Sequence, residues 1–391
     1  MALTPKQGTP LYVHLPFCVH KCPYCDFFSV EGAGQDQSAL VDVLLAEAEL
    51  RAPASPTTVF FGGGTPSYLE GPLLERLLNG LDDLTGFRKS AAEVTAECNP
   101  ESLDTHKAYL LRELGINRLS VGVQSLEPST LAFFERPHDP EEALAALEVA
   151  RDGGFVSFSA DVIHGAPGES AQVFTAHLRQ LLAINPPHVS AYGLTYEPGT
   201  PLHARLERGD FEPQDEDAEL ENLGRSEGVL TAANLGRYEV SNFAASGHEC
   251  AHNINYWRNG PYVGLGPSAA SHIQGRRSGN ARSIARWTDA VRSNQAKPAW
   301  DETLSPAARL GETWWLGLRL TKGVDPHQAR QTARWDTRAD PAEALAVELV
   351  TEDLLQLEGT HYSLTERGRP LADHVGRRFL LTPDEAQGAA G

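Results

Sequence analysis

Six short β-rich runs alternate with helical stretches through the first half of the chain, and that alternation restricts the fold more than any other feature. The runs are LYVHLPF from Leu11, TTVFFGG from Thr57, AEVTAEC from Ala92, RLSVGVQ from Arg118, FVSFSADVI from Phe155 and HVSAYGLTY from His188. Between them lie SALVDVLLAEAEL, PLLERLLNGLDDL, THKAYLLRELG, PEEALAALEVARDGG and SAQVFTAHLRQLLAI. Their apolar residues recur at spacings of three and four, as a core-facing helix requires. Several end in Gly, the common helix stop. Strand–helix units in succession imply parallel strands joined by right-handed crossovers. The fold is then α/β, either a partial (β/α)6 barrel or an open doubly wound sheet.

The polar motifs favour the barrel. Each run is followed by something unusual: a cysteine-rich loop, GGGTP, ECNP, Gln124, Asp161 and Tyr192. In α/β barrels chemistry gathers at the C-terminal ends of the strands. Six motifs on one rim point to one site.

The first motif is C-x3-C-x2-C at Cys18, Cys22 and Cys25. The chain has five cysteines, an odd number with three clustered, which is not a disulfide framework. Cys98 and Cys250 read as small buried apolar residues. Three thiolates could hold zinc, with His14 or His20 as fourth ligand. They could equally hold a [4Fe–4S] cluster, which normally takes four cysteines and would here keep one iron open. An amine and a carboxylate on one carbon could chelate that iron, and the methionine part of S-adenosylmethionine (SAM) has both.

The later motifs suit such a ligand. Glycines in FFGGGTP, which includes Gly64 and Thr65, let backbone approach a ligand closely. Glu97 could accept from ribose hydroxyls or serve only as an acid at a helix start. Gln124 ends the fourth run. Arg136 could pair with a carboxylate or form a surface ion pair. Asp161 lies in an apolar strand, where an unpaired carboxylate is costly, which favours a functional role.

With these motifs in place, the chain resembles the radical SAM superfamily. The cysteine spacing, with Tyr24 before the last cysteine, and GGGTP are that superfamily's signatures. LYVHLPFCVHKCPYCDF, FFGGGTPS, INRLSVGVQS, APGES and YEVSNFA…HNINYWRNGPYVGLGPSA are similar to the branch containing oxygen-independent coproporphyrinogen III oxidase and the HemW-type heme chaperone. The resemblance implies a partial (β/α)6 barrel of the radical SAM type, with a smaller, mainly α C-terminal domain. It also implies a [4Fe–4S] cluster on Cys18, Cys22 and Cys25, and a SAM set at Tyr12, Tyr24, Gly64, Thr65, Glu97, Gln124, Arg136 and Asp161.

The two branches use the cluster differently. The oxidase removes carboxyl groups from porphyrinogen propionates. It carries a fourth cysteine two places after the third and a longer segment before the first strand. Here that position is Phe27 and the strand begins at Leu11. Both departures favour the chaperone, which passes heme to respiratory or membrane acceptors. Whether SAM is cleaved or only bound stays open. The chaperone branch also carries H-N-x-x-Y-W, here His252 to Trp257. A neutral imidazole can ligate heme iron and aromatic rings can stack on a porphyrin. His252, Tyr256 and Trp257 are therefore the expected heme residues. A packed core motif is the alternative, and His248 is a second ligand candidate among fourteen histidines.

The net charge of −19 argues against nucleic acid as a partner. No secretory pattern precedes the first strand, and no apolar run approaches the ~18 residues of a membrane span. A cytoplasmic protein is expected, with peripheral membrane contact and a homodimer left open. We divide the 391 residues into a barrel (1–235), a barrel-associated segment with HNxxYW (236–285) and a C-terminal domain (286–391). The helix–hairpin–helix pattern near the end reads as winged-helix-like, and TPDEAQGAAG reads as disordered.

Overall fold

The computed structural model describes residues 5–293, 297–336 and 339–380. TPDEAQGAAG lies outside them. The six runs form strands β1 (Leu11–Leu15), β2 (Thr58–Gly63), β3 (Glu93–Cys98), β4 (Arg118–Gln124), β5 (Ser157–His164) and β6 (His188–Gly193). All are parallel, neighbour to neighbour, in chain order. Three later strands extend the same sheet: β7 (Gly236–Arg237), β8 (Asn242–Ala244) and β9 (Val263–Leu265). Strand β9 adds parallel to β1, whereas β8 adds antiparallel to β6 and carries β7 at its edge. β7 and β9 end the sheet without pairing with each other, so the barrel is partial.

Alternation along the strands explains the layering. Val13, Phe61, Val94, Ala96, Leu119, Val121, Phe158, Ala160 and Val189 point outward into one apolar core. Against them pack helices α1 (Gln37–Arg51), α2 (Gly71–Thr85), α3 (Thr105–Glu113), α4 (Pro140–Asp152) and α5 (Ala171–Leu182). The starts of α1, α3 and α4 are capped by Asp36, Asp104 and Asp139, each accepting an N–H two or three residues into the helix. The residues between face the lumen, and they are polar: Glu93, Thr95 and Glu97 on β3, Arg118 and Ser120 on β4, Ser157, Ser159 and Asp161 on β5, His188, Ser190 and Tyr192 on β6. A lumen this polar has to be hydrogen-bonded or to meet a ligand.

The long helix α6 (Glu216–Ala232) follows β6. Helix α7 (Ala251–Trp257), which contains HNxxYW, lies at the N-terminal ends of the strands, opposite the cysteine rim. Glu93, the first residue of β3, accepts the Ala251 and His252 backbone N–H groups, each at 2.9 Å. Only Asn242–Ala244 of the expected YEVSNFA strand is regular. A three-stranded antiparallel sheet, β10 (Ala270–Ile273), β11 (Arg276–Gly279) and β12 (Trp300–Thr303), follows.

Helix α8 (Ile284–Arg292) buries Trp287 and Val291 in the barrel's core. The division between the two cores therefore falls after α8, later than residue 286. The second core gathers Leu310 and Trp314 of α9 (Pro306–Gly317), Ala329 of α10 (Pro326–Ala333), Leu349 of α11 (Pro341–Thr351), Tyr362 of the hairpin β13 (Leu355–Glu358) and β14 (His361–Leu364), and Val375 of α12 (Ala372–Arg377). Trp314 stacks on Phe379 with ring centroids 5.0 Å apart.

Candidate cluster and nucleoside site

After β1 the chain enters the cysteine loop. Phe17–Cys18 pairs in parallel with Val30–Glu31, which closes the loop at its base. His14 braces it from below, with Nε2 2.8 Å from the Phe28 carbonyl and Nδ1 3.0 Å from the Tyr12 hydroxyl. Burial lowers the His14 pKa to about 4, so the ring is neutral. Burial pushes the Cys18 thiol up to about 11, with a Thr65 hydrogen bond opposing and the Cys25 and Cys22 sulfurs adding. Cys25 is raised for the same leading reason.

The zinc alternative fares poorly here. His14 is occupied on both nitrogens; His20 Nδ1 lies 3.1 Å from Glu31, and its Nε2 has no hydrogen-bond partner. Among the described residues, no group of three or more His, Cys, Asp or Glu side chains converges on a single ion. A [4Fe–4S] cluster, with four irons, is a larger group held by cysteine thiolates. Three thiols in one loop, with a buried cation against them, fit that larger group.

The cation is Arg136. Its Nη1 donates to Cys22 Sγ at 3.2 Å, and Nη2 donates to Asn99 Oδ1 at 2.9 Å and to the Gly122 carbonyl at 3.3 Å. Its Nε is buried with no hydrogen-bond partner. Glu101 lies 3.8 Å away and 3.3 Å from His138. Burial would raise the Glu101 pKa, but the His138 hydrogen bond and the Arg136 charge outweigh it and the pKa is lowered. Tyr24 packs edge-on against Phe134, 5.1 Å between centroids, and burial raises its phenol strongly.

Asn99 was not foreseen. It links two expected residues, since its Nδ2 donates to Thr65 Oγ1 at 2.8 Å while its Oδ1 accepts from Arg136. The signal was a short amide in ECNP, directly after a strand end.

The glycine motif lies across the rim. Gly63 has φ +100 and donates its N–H to Glu97 Oε2 at 3.0 Å. A Cβ on Gly62 would meet Glu97 Oε2 at 2.6 Å, and one on Gly64 would meet the Leu15 carbonyl at 2.6 Å. Bare backbone is required at both. Burial raises the Glu97 pKa to about 8. Asp161 accepts from Ser120 at 2.6 Å and Ser159 at 2.7 Å. Gln124 has φ +64 beside a register shift in β4. Tyr12 stacks on Phe60, and burial, then Glu97, raises its phenol. Tyr192, 40% exposed, sits beside Asp161 and Glu97 and belongs with this group. The structure thus brings Tyr24, Gly64, Thr65, Glu97, Gln124, Arg136 and Asp161 to the rim that carries the cysteines, while Tyr12 lies deeper, its ring on Phe60 and its hydroxyl on His14.

It does not bring the HNxxYW residues there. His252 has no exposed surface; Nδ1 lies 2.8 Å from Thr58 Oγ1 and Nε2 2.9 Å from the Tyr256 hydroxyl. Burial lowers its pKa to about 3. Both ring nitrogens are engaged, as in a packed core histidine. Trp257 lies against the Arg319 guanidinium, 5.1 Å from its ring. His248 bonds Ser157 at 3.1 Å. Cys98 and Cys250 are buried. Phe27, at the position of the oxidase's extra cysteine, is 67% exposed.

The model of the Radical SAM superfamily matches residues 12–181, and that of the HemN C-terminal domain matches residues 304–371. Heme chaperone HemW of Mycobacterium tuberculosis strain H37Rv is 36% identical over 388 residues, 97% of each chain. Heme chaperone HemW of Escherichia coli K12 is 38% identical over 268 residues, covering 67% of this chain and 70% of that one. The solved coproporphyrinogen III oxidase (HemN) of Escherichia coli superposes with a TM-score of 0.80 at 24% identity, covering 96% of this chain and 90% of that one, a likeness of fold. No helix among the described residues is long and apolar enough to cross a membrane. With identity above a third sustained along nearly its whole length, the chain belongs to the HemW family within the radical SAM superfamily.

Proposed function

We propose that this protein is a heme chaperone that keeps a radical SAM centre. Cys18, Cys22 and Cys25 hold a [4Fe–4S] cluster, which supplies an open iron for chelation and, when reduced, an electron. Arg136 steadies Cys22 and offers its unpaired Nε–H to a ligand carboxylate. Glu97 and Asp161 accept hydrogen bonds from a nucleoside, and Gly62 and Gly64 let the end of β2 pack closely against Glu97 and the end of β1. Tyr12, Tyr24, Thr65 and Gln124 complete the walls. The observation that carries this reading is the meeting, on one rim, of three thiols, a buried arginine and two carboxylates.

Heme delivery rests on the family. The relatives are named heme chaperones, and we extend heme binding and transfer to acceptor hemoproteins to this chain. His252 could ligate iron only after giving up both hydrogen bonds and loosening α7, so its part in heme binding is as a buried support unless α7 opens. Phe27 in place of a further thiol supports the chaperone over the oxidase. The chaperone reading is that of a cytoplasmic protein.

The test is an anaerobic reaction of the reconstituted protein with SAM, a reductant and coproporphyrinogen III, followed by heme titration. A brown, iron-containing protein that binds SAM and heme and leaves the porphyrinogen intact is expected. Decarboxylated product would make it an oxidase. A colourless protein holding zinc would sink the cluster.

A further inference from the structure

The lumen contains a polar path that runs from the rim to the start of α7. Four hydrogen bonds join its ends: Cys250 N–H to Tyr238 OH at 3.2 Å, Tyr238 OH to His188 Nε2 at 2.9 Å, His188 Nδ1 to Ser159 Oγ at 2.9 Å, and Ser159 Oγ to Asp161 Oδ1 at 2.7 Å. Asp161 stands on the cysteine rim. Cys250 precedes α7, at the opposite end of the strands.

The direction of every bond follows from chemistry. A carboxylate only accepts, so Ser159 donates to Asp161. The Ser159 hydroxyl has one proton, so it must accept from His188 Nδ1–H. His188 is buried and neutral, its pKa lowered well below the usual range by burial, then by Arg118 and His248. A neutral imidazole has one N–H, so Nε2 is bare and accepts from Tyr238. The Tyr238 oxygen is then free to accept the Cys250 amide. The Asp161 charge thus sets the His188 tautomer and, through it, the anchoring of α7.

We propose that His188 is a positioning residue that couples the mouth at Asp161 to the start of α7. The link to SAM rests on the cofactor reading above, since Asp161 is where that nucleoside would bind. A ligand hydroxyl donated to Asp161 adds a third donor to a carboxylate that already accepts from Ser120 and Ser159, weakens its hold on Ser159 and is felt at Cys250. Coupling of this kind is reciprocal, so the state of α7 changes affinity at the mouth by the same factor. HNxxYW then acts as a reporter and modulator of the mouth.

The test uses the full chain with its cluster reconstituted, and hydrogen exchange at the Cys250 amide. Without SAM, Tyr238→Phe should speed that exchange by about 3- to 10-fold, the effect of one lost hydrogen bond, and Asp161→Ala, which keeps that bond but frees the His188 tautomer, by a smaller factor. The Gly266 amide, which Glu47 holds at 2.7 Å, should keep its wild-type rate and excludes general loosening. Nitrogen-15 spectra should place the His188 proton on Nδ1 in the wild type. With SAM, Cys250 exchange should change in the wild type and not in His188→Phe. An Nε2–H tautomer, or wild-type Cys250 exchange in Asp161→Ala, overturns the relay whatever SAM does. A wild type with a full cluster that binds no SAM overturns the cofactor reading instead, while the Asp161→Ala result still decides the relay.

Discussion

His252 Nδ1 lies 2.8 Å from the Thr58 hydroxyl, at the end of β2 farthest from the Gly63 rim. Its other nitrogen is bonded to Tyr256. Removing the ring leaves two hydroxyls unpaired in a closed space, which costs about 2 to 4 kcal/mol. His252→Ala should lower the urea midpoint accordingly, while heme affinity of the folded fraction stays at the wild-type value. Weaker heme binding by a fully folded variant would show instead that α7 opens and His252 reaches iron.

Glu47 is a second structural knot, fully buried in α1. It accepts from Gly266 N–H at 2.7 Å, Asn280 Nδ2 at 2.8 Å and Trp287 Nε1 at 2.9 Å, and pairs with Arg51 at 3.3 Å. Glu47→Ala strands the buried Gly266 and Trp287 N–H donors and removes the carboxylate beside Arg51 and Asn280, which keep other acceptors, for about 2 to 4 kcal/mol. Urea unfolding would measure this, and Glu47→Gln should recover part of it. An unchanged midpoint in the alanine variant would contradict the burial of this cluster.

The barrel was legible because strand and helix periods differ and alternate cleanly. The rim was legible because polar residues stood at the strand ends. Other features were not. Asn99 acts through Arg136, 37 residues away in sequence, and local reading has no access to that contact. The histidine of HNxxYW suggested a ligand because sequence does not report burial, and its ring is held by Thr58, 194 residues earlier. Trp287 reads as the start of a new domain, yet Glu47 draws it into the barrel.

Glu97 gives stability a defined pH dependence. Burial lifts its pKa from 4.5 to about 8, so between those values the folded chain holds a proton that the unfolded chain has released. Its contribution to stability therefore declines as pH rises from 4.5 through about 8. Glu97→Gln should remove that slope. The buried histidines act on the acid side. His14 and His164 are lowered by burial from 6.5 to about 4, so stability present above 6.5 is lost as pH falls through about 4. Urea midpoints across pH 4 to 9 would separate the two; parallel curves for wild type and Glu97→Gln would refute the Glu97 assignment.

Gly62→Ala isolates the nucleoside site from the cluster. The nearest atoms to the added methyl are Glu97 Oε2 at 2.6 Å and the Phe60 ring at 2.9 Å. Something must shift, and Glu97 is the group whose position the proposed ribose contact depends on. Phe60 stacks with Tyr12 and packs near His252, which limits its retreat. No cysteine is among these atoms, so iron content should match the wild type. SAM affinity should fall by about tenfold, the loss of one hydrogen bond. Iron analysis and SAM titration on one preparation test both halves. Full iron with full SAM affinity would remove Glu97 from the ligand site, whereas loss of both would show that the glycine backbone also supports the cysteine loop.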